Sequence, residues 1–154
     1  MLLQNAAVAE DIRRGSETNL PIPRFVSMKA GKGNVRRGPS LSHRIDWVLT
    51  RRSMPLMITA EHGHWRRVQD RDGAGGWMHY ALLSGVRTVT IEEDMVPLRT
   101  KPESTSDVRA RAELGVVAKL EKCTIDWCQI SAGGHKGWVS KSMIWGVSDE
   151  EIRD

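Results

Sequence analysis

The feature that most constrains this chain is an internal repeat with a period close to 62 residues. The segment NVRRGPS at 34–40 aligns with PLRTKPE at 97–103, with the arginine and the second proline in register 63 residues apart. Two further pairs of segments align at 62 and 61 residues: 64–68 with 126–130, and 76–78 with 137–139. A repeat of this kind indicates one structural unit present twice.

Each copy consists of short apolar segments bounded by Gly, Pro, Asp and Ser, without a sustained period of 3.6 residues, which predicts β-strands. Five short strands in a unit of this size cannot bury both faces of a flat sheet, so the predicted fold class is all-β, with two tandem small barrels. The predicted strands are 25–29, 35–37, 55–61, 65–69 and 76–79 in the first copy, and 89–92, 97–99, 116–122, 127–131 and 137–140 in the second.

The repeat sets the predicted domain boundaries. Residues 25–85 form the first barrel and 86–146 the second, with an N-terminal tail at 1–24 and an acidic tail at 147–154. Ala7-Val8-Ala9 has the small-x-small form of a signal-peptidase site, but a basic start and a long apolar core are missing. The end of a signal peptide and a disordered tail therefore remain alternatives.

Three motifs of the first copy resemble those of the bacterial SH3 (SH3b) domain: NVRxGPS at 34–40, WxxV at 65–68 and GWM at 76–78. The second copy keeps Leu98-Arg99, Pro102, WxxI at 127–130 and GWV, but it lacks the asparagine and the first glycine. The resemblance covers about 25–146, and it identifies both units as SH3-like barrels. The whole chain is similar to small tandem SH3-like proteins of proteobacteria.

The resemblance implies a non-catalytic binding module of the cell envelope that recognises peptidoglycan peptide or another wall-associated ligand. The location it implies is the periplasm or another exported compartment, with the cytoplasm as the alternative. A protein–protein adaptor, or an accessory subunit of a larger complex, is the alternative function. The oligomeric state is left open.

Charge adds a weak preference for an anionic partner. Residues 25–85 carry 10 Lys/Arg against 4 Asp/Glu, whereas 86–146 carry 9 against 8. This basic excess fits either an anionic ligand or a solvated basic face. Nucleic acid is disfavoured because no run of five like charges and no nucleic-acid-binding motif occurs.

The sequence predicts no enzyme, no cofactor, no metal site and no membrane-spanning segment. No stretch approaches twenty apolar residues. His62 and His64 flank a turn glycine without further ligands at metal-binding spacing. Cys123 and Cys128 with His135 could be taken for a thiol nucleophile and its base, but both cysteines lie in one predicted hairpin.

Those two cysteines are also the disulfide candidate. Paired across the hairpin, Cys123 and Cys128 could be bonded in an oxidising compartment. Two free buried thiols are the alternative.

Four of the six tryptophans occupy equivalent positions in both copies and are predicted to belong to the framework: Trp65, Trp77, Trp127 and Trp138. Trp47 aligns with Ala110 instead. It is therefore the candidate for ligand contact, or alternatively for packing between the barrels.

The predicted ligand-binding residues are Arg36, Arg37, Trp47 and Tyr80. The groove is expected between the loop at 38–50 and the hairpin around Gly63, with an arginine meeting carboxylates. Because the second copy has diverged there, the first copy is predicted to dominate binding.

Overall fold

The computed structural model describes residues 12–154, and the small-x-small segment at 7–9 lies outside that range. The described chain is built from fourteen strands and two single 3₁₀ turns, Tyr80–Leu82 and Lys141–Met143. The first seven strands are β1 (Arg24–Met28), β2 (Gly33–Arg36), β3 (Ile45–Leu49), β4 (Pro55–His62), β5 (Trp65–Gln69), β6 (Gly75–His79) and β7 (Leu83–Ser84). The second seven are β8 (Thr88–Ile91), β9 (Val96–Arg99), β10 (Val108–Ala112), β11 (Val117–Cys123), β12 (Trp127–Ala132), β13 (His135–Ser140) and β14 (Ile144–Trp145).

The two halves have the same topology. The first sheet runs β3-β2-β6-β5-β4-β1-β7 and the second runs β10-β9-β13-β12-β11-β8-β14. Neighbouring strands pair antiparallel, and equivalent residues face equivalent partners. Val35 lies opposite Trp47 in the first sheet, as Leu98 lies opposite Ala110 in the second. The predicted all-β fold of two tandem SH3-like units is confirmed.

Strands β3 and β10 were not predicted from the sequence. Each follows the loop after an arginine, Arg36 or Arg99, and pairs only with the strand before that loop, β2 or β9. Their apolar residues remain largely exposed, as at Ile45, Val48 and Val108. A strand whose apolar residues are mostly exposed lacks the alternation of apolar and polar residues that reveals strands in a sequence.

Each half encloses its own core. The first contains Met28, Leu56, Ile58, Val68 and Met78, all almost fully buried. The second core is built at equivalent places, and its members include Val89, Ile91, Leu120, Cys128, Ile130 and Val139. The four paired tryptophans lie around these cores, half-buried. Each barrel can therefore be described by itself.

Contacts between the barrels include residues of β1, β4, β8 and β14 and the ion pair between Arg71 and Glu92. The Thr88 hydroxyl donates a hydrogen bond of 2.6 Å to the Ser53 carbonyl. Trp145 meets Phe25 edge to face, with ring centroids 5.2 Å apart. Trp145, rather than Trp47, is thus the tryptophan at the contact between barrels.

The described residues of both predicted tails pack on the barrels. At the N-terminal end, the chain turns back on itself through a hydrogen bond from the Gly15 amide to the Leu20 carbonyl (2.8 Å), and Ile22 joins the first core. At the C-terminal end, Arg153 forms an antiparallel bridge with Cys123. The repeat could not reveal these contacts because the segments lie outside it.

Between residues 12 and 154, no helix has both the length and the apolar character required to cross a membrane.

Candidate ligand-binding site

Arg36 serves the framework of the first barrel. Its guanidinium donates hydrogen bonds to the carbonyls of Leu41 (3.3 Å) and His43 (2.9 Å), which hold the loop after β2. In the second barrel Arg99 donates to the carbonyl of Ser106 at 2.7 Å, the position equivalent to His43. The shared arginine is thus explained by loop geometry.

Arg37 is exposed and lies beside Asp46. The distance between Arg37 Nε and the Asp46 carboxylate is 3.3 Å, and Arg44 Nε approaches the same carboxylate at 2.8 Å. The hydrogen bond from Arg44, together with Arg37, lowers the pKa of Asp46 below its ordinary value. The charge of Arg37 is therefore partly neutralised by the Asp46 carboxylate.

Trp47 and Tyr80 are both half-exposed, but they line different cavities. Trp47, on β3, has 52% of its surface exposed and borders a small cavity with Val35 and Leu49. Tyr80 opens the 3₁₀ turn after β6, is 49% exposed, and lines a larger cleft. The predicted site residues therefore divide into a group on β2 and β3 and a separate tyrosine.

The groove expected between the loop at 38–50 and the hairpin around Gly63 stays a prediction. The amide of Gly63 donates a hydrogen bond to the Glu17 carboxylate at 3.0 Å, so the N-terminal segment touches this hairpin, whose residues 62–64 remain exposed. A separate cleft lies between that segment and the strands of the first barrel.

We call this cavity the Tyr80 cleft; its volume is about 320 Å³. Most of its surface is apolar, and two arginines lie at its wall. Tyr80 itself stacks on His79 with ring centroids 4.9 Å apart, and the Arg66 guanidinium lies 5.8 Å from the Tyr80 ring centroid. The lining residues are Thr18, Leu20, Arg24, Phe25, Val26, Ile58, Arg66, Tyr80, Leu83, Ser84 and Gly85.

A buried carboxylate supports the wall of the cleft. The side chain of Glu61 is fully inaccessible and pairs with Arg24 (2.8 Å) and Arg66 (3.6 Å). It also accepts hydrogen bonds from the amides of Glu17 (3.0 Å) and Thr18 (2.9 Å) and from the Thr18 hydroxyl (2.7 Å). Because buried charges must be paired, Glu61 holds both arginines and the N-terminal segment in place.

Burial by itself would raise the pKa of Glu61. The hydrogen bonds from the Thr18 hydroxyl and amide, followed by that from Arg24, outweigh burial and lower this pKa from 4.5 to about 2. Glu61 is therefore ionised at neutral pH. One nitrogen of Arg24, Nη1, is buried without a hydrogen-bond partner within residues 12–154.

The repeat contained a signal for this cluster. Glu61 lies opposite Arg66 in the register of β4 and β5, and the same two positions in the second barrel are Cys123 and Cys128. A position pair that changes together from a charged pair to two cysteines indicates contact between the two side chains. The sequence predictions did not include this pair.

In the structure Cys123 and Cys128 are joined as a disulfide across β11 and β12. The amide and carbonyl of Cys123 point outward, to Arg153 (2.9 and 3.0 Å). The two cysteines therefore form a non-hydrogen-bonded pair, the arrangement that brings facing side chains closest in an antiparallel sheet.

The C-terminal segment covers the place in the second barrel that corresponds to the Tyr80 cleft. Lys141, equivalent to Tyr80, donates hydrogen bonds from Nζ to the carbonyls of Asp149 (3.0 Å) and Glu151 (2.7 Å). Arg87, equivalent to Arg24, pairs with the Glu151 carboxylate at 2.7 and 2.9 Å. The cleft is thus open in the first barrel and occupied by the chain itself in the second.

A small antiparallel β-barrel with a 3₁₀ turn before its last strand defines the SH3-like class, and this chain contains two of them. The family model described as "Bacterial SH3 domain" matches residues 29–85 and 92–146. The chain belongs to the bacterial SH3 domain family, which confirms the prediction made from the motifs.

A relative is the putative N-acetylmuramoyl-L-alanine amidase YrvJ of Bacillus subtilis (strain 168), 26% identical over 147 residues. The alignment covers 82% of this chain and 28% of the amidase. This chain thus spans less than a third of the amidase's length.

Among solved structures, NlpC2 and NlpC1 from Trichomonas vaginalis each align with a TM-score of 0.37, at 10% and 12% identity. Each alignment covers 81% of this chain and 48% or 46% of the other. The chain spans about half the length of each of these two proteins.

Proposed function

We propose that this chain is an exported, non-catalytic binding module of the cell envelope. In this proposal the Tyr80 cleft binds an extended peptide that carries a carboxylate, such as the peptide of peptidoglycan. Membership of the bacterial SH3 family and the similarity to a protein named as a putative N-acetylmuramoyl-L-alanine amidase support a role in the cell envelope. The observation that carries the proposal is the difference between the two clefts.

The segment at 147–154 shows what chemistry this part of the fold accepts. It lies on the second barrel through its backbone carbonyls, which Lys141 binds, and through the carboxylate of Glu151, which Arg87 binds. The first barrel keeps Arg24 in the place of Arg87, where one of its nitrogens already pairs with Glu61, and offers an aromatic ring, Tyr80, in the place of Lys141. An extended peptide with a carboxylate would meet the other nitrogen, Nη1, which has no hydrogen-bond partner within residues 12–154, and an apolar wall.

A binding role also agrees with the state of the thiols. The chain has two cysteines, and both are in the disulfide, so neither is a free nucleophile. A disulfide persists in oxidising compartments, which supports export.

The test is retention of the purified protein on purified sacculi at low salt, compared between the wild type and Tyr80→Ala. We expect Tyr80→Ala to weaken retention by about tenfold, as for other half-buried aromatic contacts at the centre of an interface. Trp47→Ala is the matched control, since Trp47 is equally exposed but lines a different cavity. It should bind like the wild type.

Two outcomes would count against the proposal. Absence of retention of the wild type would reject wall binding, and a stoichiometric protein partner would then favour the adaptor function. Equal retention of both variants and wild type would show that the Tyr80 cleft is not the site.

A further inference from the structure

The two barrels differ in side-chain volume where β3 and β10 face their neighbours. Trp47 lies opposite Val35, and Ala110 lies opposite Leu98. The next inward position shows the same change, since Leu49 is replaced by Ala112. Two large side chains of the first barrel are thus replaced by methyl groups in the second.

The cavities at this place differ accordingly. The cavity bordered by Trp47 and Leu49 measures about 70 Å³, whereas its counterpart in the second barrel measures about 270 Å³. An apolar cavity of about 150 Å³ is sufficient for a benzene ring. We call the larger cavity the Ala110 pocket; it is lined by Leu98, Ala110, Arg111, Ala112, Glu113, Val116, Ala132, Gly133 and His135.

The floor of the Ala110 pocket is apolar, and its rim carries Arg111, His135 and one acid, Glu113. Leu98 and Ala112 at the floor are buried, while Arg111 and His135 are exposed. Next to the pocket, the Arg109 guanidinium donates a hydrogen bond to the backbone carbonyl of Lys136 at 3.3 Å, so a second arginine lies beside the turn that carries His135. This balance favours a ligand that carries negative charge.

We propose that the Ala110 pocket binds an aromatic side chain of an acidic partner peptide, with the ring taking the place that Trp47 fills within the first barrel. The ring would pack on the apolar floor, and a carboxylate beside it would face Arg111 and Arg109. This site is separate from the Tyr80 cleft in residues and in barrel, so either site can fail without the other.

The probe is N-acetyl-L-tryptophan, an indole with a carboxylate, followed by shifts of backbone amide resonances in NMR spectra. A ligand of this size is expected to bind with a dissociation constant of roughly 1 mM. Shifts should concentrate at Ala110, Ala112, Ala132 and His135. The neutral N-acetyl-L-tryptophanamide should bind about threefold more weakly, as expected for an exposed ion pair.

Ala110→Trp is the variant that tests whether the probe binds in the Ala110 pocket. The first barrel has Trp47 at the equivalent position, so this fold accommodates tryptophan at that position. The substitution should abolish the shifts caused by the probe while the fold is kept. Ala132→Leu, which fills the pocket from the opposite wall, is the second variant should the first not fold. Binding that survives both substitutions, or shifts located elsewhere, would overturn the proposal. Equal affinity for N-acetyl-L-tryptophan and N-acetyl-L-tryptophanamide would overturn the statement that the partner peptide is acidic.

Discussion

Replacing Glu61 by glutamine tests whether one buried carboxylate fastens the N-terminal segment to the first barrel. The carboxylate accepts hydrogen bonds from Glu17 and Thr18 and pairs with Arg24. Glutamine keeps the size of the side chain but removes the charge. It also presents an amide nitrogen, which can only donate, where an oxygen now accepts. We expect the segment at 13–20 to loosen.

The magnitude follows from the pKa of Glu61. Burial raises it, but the hydrogen bonds from Thr18 and Arg24 lower it further, so the value falls from 4.5 to about 2. A shift of this size corresponds to about 3 kcal/mol of stability. Since 17% of the Arg24 side chain remains exposed, solvent weakens the pair, and we expect a loss of about 2 kcal/mol.

The dependence on pH has a definite sign. Because the pKa of Glu61 is lower in the folded protein, its contribution is complete above the unfolded value of 4.5 and is lost as the pH falls towards 2. Urea unfolding should therefore show Glu61→Gln less stable than the wild type at pH 7, with a difference that narrows by about half at pH 3. Amide hydrogen exchange should be faster at 13–20 in the variant.

Glu103→Gln is the control, since Glu103 is exposed in a loop of the second barrel. It should change stability by less than about 0.5 kcal/mol. The reasoning is refuted if Glu61→Gln matches the wild type at pH 7. A difference that stays constant from pH 7 to pH 3 would also refute it.

Three other predictions concern stability. Reducing the disulfide should cost about 2 kcal/mol, from the loop-closure relation for a separation of five residues; an unchanged urea midpoint in reductant would contradict this. Gly137→Ala should cost roughly 2 kcal/mol, because a new Cβ would lie 2.7 Å from that of Leu98. Gly85→Ala, where the methyl group meets nothing, serves as its control in thermal unfolding. Glu151→Gln should speed hydrogen exchange at 147–154 by weakening the bidentate pair with Arg87, and unchanged exchange would show that the pair does not hold the segment.

Most of the fold could be predicted from the sequence, β3 and β10 excepted, because the repeat and the turn residues are local signals. Gly76-Trp77 and Gly137-Trp138 illustrate this, since the glycines allow close approach to the neighbouring strand. A Cβ on Gly76 would lie 2.6 Å from the Arg36 carbonyl oxygen. The shared Gly-Trp spacing thus predicted β6 and β13, whereas their pairing with β2 and β9 comes from the structure.

The candidate site was harder to predict because it depends on contacts distant in sequence. Thr18 meets Glu61 across 43 residues, and Arg87 meets Glu151 across 64. Such contacts leave no periodic pattern. The alignment of the two copies shows that Trp47 has no counterpart in the second. It does not show that the smaller side chain of Ala110 leaves a larger cavity there.

Chain connectivity explains why the first barrel, rather than the second, keeps an open cleft. The chain that leaves Gly146 folds back, and its carbonyls reach Lys141 and its carboxylate reaches Arg87. The chain that leaves Gly85 must enter β8 at Thr88, so it has no length to fold back over Tyr80. The linker of a tandem pair cannot both join the barrels and cover the first of them. The expected difference in binding between the two barrels therefore follows from chain connectivity. It does not require the divergence of the second copy near the loop after Arg99.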